Sequence, residues 1–227
     1  MTFKIDLVNP VEGLVRHDLE TGRVYKKGDK TYRSVTNVLS GFGNKEWLKA
    51  WRANVGEVKA DGIVRQSANR GSVVHKLCEN YLLGAQTNQP VMPIYLDDFN
   101  KAKRVLDKSV KVVRGVELQL YSDEINAAGT TDLFCDWDAS VVRDKKAVTV
   151  PAVVDFKTKR STMNVNALKM HFIQGAAYAI MINEIYGIFV PKLVIISLEQ
   201  DSPVPVLHEA RTIDFYEKTK QIFKSIK

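Results

Sequence analysis

The stretch Val150-Pro151-Ala152-Val153-Val154-Asp155-Phe156-Lys157-Thr158-Lys159 constrains this chain more than any other. It is apolar and largely β-branched as far as Val154, which predicts a buried strand. Beyond Val154 it turns ionic. Side chains alternate faces along a strand, so Asp155 and Lys157 point the same way. Holding a carboxylate and an ammonium at the end of a buried strand costs desolvation free energy. A bound cation together with a phosphate would offset that cost. The plainer alternative is a solvated strand end with an ordinary ion pair.

The segments before this strand also repeat with period two. Residues 112–121 read as a strand with Val116, Leu118 and Leu120 on one side and Glu117 on the other. Residues 125–137 form the next strand and contain Gly129-Thr130-Thr131-Asp132. A charged hairpin connection over 138–146 leads into the opening stretch. Three sequential strands with short links predict an antiparallel meander. Each strand contributes one acid: Glu117, Asp132 and Asp155. After a polar link, residues 166–186 predict the longest helix, which carries Gln174 and Tyr178 one turn apart and ends at Gly187. Residues 192–198 predict a buried strand, 204–209 an edge strand, and 212–227 a closing amphipathic helix.

Turn signals at Glu20-Thr21-Gly22 and Lys27-Gly28-Asp29 predict a small β-meander over 13–33, read as a cap on one end of the core. Ser34 is the expected N-cap of a short helix, and plain capping is the expected role of Ser34 and Thr36. A helix N-terminus can also hold a phosphate. A second helix is expected over 44–59, with Trp47 and Trp51 four apart and directed into the core rather than stacked on bases. A third, over 69–83, has Val74, Leu77, Cys78, Tyr81 and Leu82 as its apolar stripe. Beside that stripe runs the row Gly71, His75, Glu79. Residues 86–95 are expected to be a polar loop. A fourth helix is expected over 97–111, with Lys101, Lys103, Arg104 and Lys108 on a basic side that suits either solvent or a phosphate backbone.

With 227 residues, 45% of them hydrophobic, the chain can bury a core without disulfides. We expect residues 1–33 as an appendage and 34–227 as the main domain. Cys78 and Cys135 are the only cysteines, too few for a four-thiolate metal site, and a reducing cytoplasm suits them. The first residues lack a signal-peptide core. The longest apolar run, 188–198, is too short to span a membrane. A formal net charge of +7 favours an anionic partner, nucleic acid being the usual one.

The order Gly71-x-x-x-His75-x-x-x-Glu79, Gly129-x-x-Asp132, Asp155-x-Lys157, Gln174-x-x-x-Tyr178 resembles the PD-(D/E)XK nuclease superfamily, in particular its RecB-like exonuclease branch. That branch includes phage exonucleases and the mitochondrial genome maintenance exonuclease. The resemblance runs from about Ser34 to Tyr186. It implies an α/β fold (an α+β mixed sheet) with a restriction-endonuclease-like αβββαβ core and helices on both sides of a central sheet. It implies Mg²⁺ or Mn²⁺ held by His75, Asp132, Asp155 and the main-chain carbonyl of Phe156, with Glu117 as a further candidate. Lys157 is implied as the catalytic lysine, Gln174 and Tyr178 as the helical pair that supports it, and Glu79 as the acid after the histidine. Ser34, Thr36, Arg70, Thr158 and Lys159 are the candidate DNA contacts. Thr131 departs from the proline of the superfamily name, and the cysteine cluster of the iron–sulfur members is missing. No helicase region is present, so a stand-alone nuclease is implied.

Such a site hydrolyses phosphodiesters because a cation held by hard oxygens offsets transition-state charge and acidifies a bound water. An imidazole ligand tilts the preference toward Mn²⁺. Lys157 can orient the water or stabilise charge, and could act as base only with a depressed pKa. The expected activity is a DNA exonuclease acting on single strands or DNA ends in the cytoplasm, or in a host's cytoplasm if phage-encoded. The alternatives are a structure-specific endonuclease of the junction-resolvase type and a non-catalytic DNA-binding module. No membrane association is expected, and protein partners in replication or recombination are left open.

Overall fold

The structure is a computed structural model and describes residues 3–42, 45–85, 90–139, 148–200 and 202–225. The elements run β1 (Lys4–Ile5), β2 (Leu14–Leu19), β3 (Gly22–Lys27), β4 (Lys30–Ser34), α1 (Val35–Ser40), α2 (Lys45–Val55), α3 (Glu57–Leu82), α4 (Pro93–Ser109), β5 (Val110–Ser122), β6 (Ala127–Asp138), β7 (Thr149–Lys159), α5 (Val165–Tyr186), β8 (Lys192–Glu199), β9 (Val206–Arg211) and α6 (Ile213–Ser225). This is a mixed α/β fold. Among the described residues, nine strands form one mixed sheet whose main path is β2-β3-β4-β6-β7-β8-β9, with β5 on β6 and β1 on β5.

Strand alternation divides the core into two layers. Phe134, Val153 and Ile195 pack with α5, α1 and Phe223 of α6 on one face. Leu133, Val154 and Val194 pack with Val74 and Cys78 of α3 and Leu106 of α4 on the other. The uninterrupted apolar runs 152–154 and 193–196 are buried because both faces are covered, as a central parallel pair requires.

The meander joins this sheet directly. Its last strand β4 runs parallel to β6, pairing Arg33 with Ala127 and Ser34 with Ala128. Leu14, Tyr25 and Tyr32 pack on Ala128 as a small third cluster.

Several boundaries differ from the sequence expectation for identifiable reasons. Gly56, at φ +88, ends α2 before residue 59, and α3 then runs unbroken from Glu57 through residues expected to lie between helices. Nothing in that stretch is a stronger breaker than Gly62, a cost of about 1 kcal/mol. Helix α4 starts at Pro93 rather than Asp97, with proline in the first turn, where its missing N–H costs nothing. Trp51 is half-buried, and the side chain of Trp47 lies outside the described residues, as does most of the 138–146 connection. The closing strand spans Val206–Arg211 rather than 204–209.

The alternation expected in β5 also breaks. Glu117 has φ +46, a left-handed conformation rare for a non-glycine residue. Across it, Val116 packs on the α3 side while Leu118 and Leu120 pack on the α5 side. One twisted residue thus moves the side chains before and after it onto opposite faces. Among the described residues, no helix is long and apolar enough to cross a membrane.

Candidate active site

The site lies where the sheet forks. Strand β6 offers one long edge to two partners: Ala127 and Ala128 pair with β4, and Leu133 through Asp138 pair with β7. The backbone between, Gly129 to Asp132, is bridged by neither. The last β6–β7 pair is Leu133 with Val154, so one further step would set Asp132 opposite Asp155. Like charges directly opposite are unfavourable, and the strands part at this step. The Asp132 side chain then takes the place of the missing ladder bond, its Oδ2 accepting the Phe156 N–H at 2.9 Å.

Because the sheet is open here, both helical layers reach the same point. From α3, His75 donates through Nε2 to the Phe156 carbonyl at 2.9 Å and sets Nδ1 3.4 Å from Asp132 Oδ1. From α5, Tyr178 lies against Gly129, where a Cβ would stand 2.8 Å from the ring Cε1. Glycine is therefore required at 129 for the tyrosine to sit there. Gln174 Nε2 makes a long hydrogen bond of 3.4 Å to the Tyr178 hydroxyl. On β7, Lys157 Nζ donates to Asp155 Oδ1 at 2.7 Å and lies 2.6 Å from Oδ2. That contact to Oδ2 is off the hydrogen-bond direction, and Oδ2 is buried without a hydrogen-bond donor among the described residues.

Charge coupling follows from these distances. Burial works against the imidazolium of His75, but Asp132 and Asp155 outweigh it and lift the pKa to about 9. Burial would raise Asp132, yet His75 holds its carboxyl below the ordinary value. Burial raises Asp155 despite Lys157. Lys157 itself loses by burial and gains more from Asp155 and Asp132, ending above the ordinary lysine value. Desolvation and then the Asp132 charge push Glu117 up to about 7. The Lys157 ammonium is thus held by Asp155 at the mouth of the fork.

The residues fit a divalent cation. His75, Glu117 and Asp132 offer ligand atoms within 4.8 Å of one another, an imidazole and two hard oxygens. Val116 pairs with Leu133 and Leu118 with Thr131, so the register sets Glu117 opposite Asp132. Asp155 stands outside that trio with its orphaned Oδ2 beside Lys157.

A pocket of about 470 Å³ surrounds these groups, lined among others by Ser34, Thr36, Glu79, Gln174 and Tyr178. Ser34 does not cap α1 with its side chain; its hydroxyl shares a 2.9 Å hydrogen bond with that of Thr36. Glu79 is ion-paired to Lys76 at 2.7 Å. Three candidate DNA contacts are placed away from this lining. Arg70 is buried, its guanidinium engaged by Asp98 at 2.6 and 2.9 Å and by the carbonyls of Lys159 and Leu198. Thr158 faces Gly71, 3.5 Å from where its Cβ would be. Lys159 is half-buried, its pKa lowered by burial and then by Lys157. Lys101, expected on a basic helix side, is buried as well, paired with Asp97 and donating to the Glu199 carbonyl.

The pocket also contains residues that sequence reading did not single out: Arg16, Arg23 and Tyr25 of the meander, and Thr130. For the three meander residues the signal was the period-two spacing Arg16-x-Asp18 and Arg23-x-Tyr25 within the hairpin. No protein-family model matches the chain, and no curated protein matches it significantly.

Proposed function

We propose that this protein is a divalent-metal-dependent DNA nuclease with a restriction-endonuclease-like core, acting as an exonuclease on single strands or DNA ends. The observation that carries this reading is the meeting of His75, Asp132, Asp155, Lys157 and the Phe156 carbonyl at one fork of the sheet. The element order α4-β5-β6-β7-α5-β8 around that fork supports it. So does the net charge of +7.

His75, Asp132 and Glu117 would hold Mg²⁺ or Mn²⁺, with Asp155 Oδ2 and the Phe156 carbonyl as neighbouring oxygens. A cation bound there would supply Lewis-acid stabilisation of the phosphoryl oxygens and would acidify water. The remaining work falls to the chain. Asp155 keeps Lys157 charged and fixed in place by a 2.7 Å hydrogen bond. The ammonium then faces a phosphoryl group in a partly dry site, where a preoriented charge is worth more than in water. Tyr178 stays a neutral hydroxyl because burial pushes its pKa up. It can donate to a phosphate oxygen or to water, steadied by Gln174.

End-labelled single- and double-stranded oligonucleotides, incubated with Mg²⁺, Mn²⁺ or EDTA, test this. Wild type should give metal-dependent ladders or mononucleotides. Asp155→Ala and Lys157→Ala should each lose at least about 10²-fold in rate. The label position reports polarity, and cleavage of closed circles or junctions would move the reading to an endonuclease. DNA binding without cleavage by wild type on every substrate would refute the catalytic reading.

A further inference from the structure

The β2–β3 hairpin presents a second, oppositely charged wall to the same pocket. Its register pairs Arg16 with Tyr25 and Asp18 with Arg23. Residues two apart on a strand, and residues directly opposite on its neighbour, share a face. Arg16, Asp18, Arg23 and Tyr25 therefore form one patch, and Arg16, Arg23 and Tyr25 line the pocket that contains the acids.

This wall is held rigidly. Tyr25 is buried, and its hydroxyl shares a 3.4 Å hydrogen bond with Thr130, two residues before Asp132. Asn37 of α1 donates to the Arg23 carbonyl at 3.1 Å. Gly22 leaves the room this needs, since a Cβ there would stand 2.5 Å from Asn37 Nδ2. The packing of Tyr25 with Leu14 and Tyr32 on Ala128 of β6 fixes the hairpin where Arg16 and Arg23 line the pocket.

The two guanidinium groups converge on one anion. Arg16 reaches Asp18 Oδ2 at 2.8 Å and Arg23 reaches Oδ1 at 2.9 Å. All three side chains are a third or more exposed, and ion pairs so exposed are weak and easily exchanged. Guanidinium forks match phosphate oxygens bidentately just as they match a carboxylate, so a phosphate can take the place of Asp18.

We propose that this hairpin is a phosphate-binding wall, in which Arg16 and Arg23 hold a backbone phosphate of a nucleic-acid strand and Asp18 competes for them as a built-in carboxylate. This rests on the nucleic-acid reading of the pocket and adds to it a grip that does not involve metal. The strand passes between a cationic wall and the acidic fork. Asp18 lowers its affinity and so favours its release.

The test is fluorescence anisotropy of a labelled single-stranded DNA 12-mer in EDTA, where no cleavage occurs, over a series of salt concentrations. Arg16→Gln/Arg23→Gln should weaken binding at least about tenfold at low salt and reduce the salt slope by about 1. Asp18→Asn should tighten binding between about twofold and fivefold. Arg16→Lys/Arg23→Lys should fall between wild type and the glutamine pair, because charge is kept and the fork is lost. Thermal melts check that each variant folds, and the lysine pair and Asp18→Asn carry the test if the glutamine pair does not. Unchanged binding in the arginine variants, weaker binding in Asp18→Asn, or no wild-type binding overturns the wall. Binding that follows the expected pattern without cleavage in Mn²⁺ keeps the wall and refutes the nuclease. Cleavage with indifferent hairpin variants does the reverse.

Discussion

Arg70 offers the sharpest quantitative test, because the sequence made it a DNA contact and the structure makes it a buried strut. Its guanidinium forms two hydrogen bonds to Asp98, and the two side chains are 10% and 2% exposed. Asp98→Asn keeps the shape but removes the charge, leaving the buried guanidinium one amide oxygen in place of two carboxylate oxygens, beside the Lys159 and Leu198 carbonyls. Removing one partner of such a pair costs about 3–5 kcal/mol. Arg70→Met strands the carboxylate and both carbonyls, although Lys101, 3.8 Å from Asp98, softens the loss. We expect about 3 kcal/mol for each single variant, which lowers the melting midpoint by about 6–12 °C at 2–4 °C per kcal/mol. The double variant removes both charges, so its loss should fall short of the sum by about 2 kcal/mol, a coupling typical of residues in contact. Urea denaturation of all four proteins closes the cycle, with DNA anisotropy on the folded singles as a second readout. Additivity within about 0.5 kcal/mol, or an Arg70 variant as stable as wild type that binds DNA more weakly, would refute the strut.

Other outcomes follow from particular atoms. Gly129→Ala should drive a Cβ into the Tyr178 ring, destabilise the fold by about 1–3 kcal/mol in urea titrations, and lower cleavage; unchanged stability would mean the ring can retreat. Glu117→Gly should relieve a left-handed residue and stabilise the protein in EDTA by about 1 kcal/mol, while weakening Mn²⁺ binding in calorimetry; equal Mn²⁺ affinity would remove Glu117 from the ligand set. His75, with a pKa of about 9, must release its proton to bind a metal. Mn²⁺ affinity should therefore rise about tenfold per pH unit from 7 until it levels off near 9. The slope should shrink in His75→Ala to the part contributed by Glu117, whose pKa is about 7, and a flat wild-type profile would exclude His75 as ligand.

Much of the fold was legible because its elements are locally consistent. The β-branched, apolar run before Asp155 could be little else than a covered strand. Gly187 ends α5 at φ +67, as a helix-stopping glycine should. The candidate site was legible as residue types in order: His75, Asp132, Asp155, Lys157, Gln174 and Tyr178 all reach one pocket. What periodicity misread was local strain and burial of charge. Nothing in the pattern of β5 marks Glu117 as left-handed, and a lysine at position 101 of an amphipathic helix reads as solvated until Asp97, Asp98 and Glu199 surround it.

Which segments could be strands or helices was already written along the chain, because side-chain periodicity and backbone preference are properties of neighbours in sequence. So was the inventory of acids, imidazole and lysine from which a hydrolytic site could be built. Where those groups meet was settled only by folding. The fork between β4 and β7 on the shared edge of β6 opens the sheet at Asp132, and that opening lets α3 and α5 approach from opposite layers. Folding likewise made Arg70 a brace of the core and turned Arg16 and Arg23, which read as part of a cap, toward the acids. Such choices depend on pairing between strands about a hundred residues apart, and no local pattern records which edge a distant strand will take.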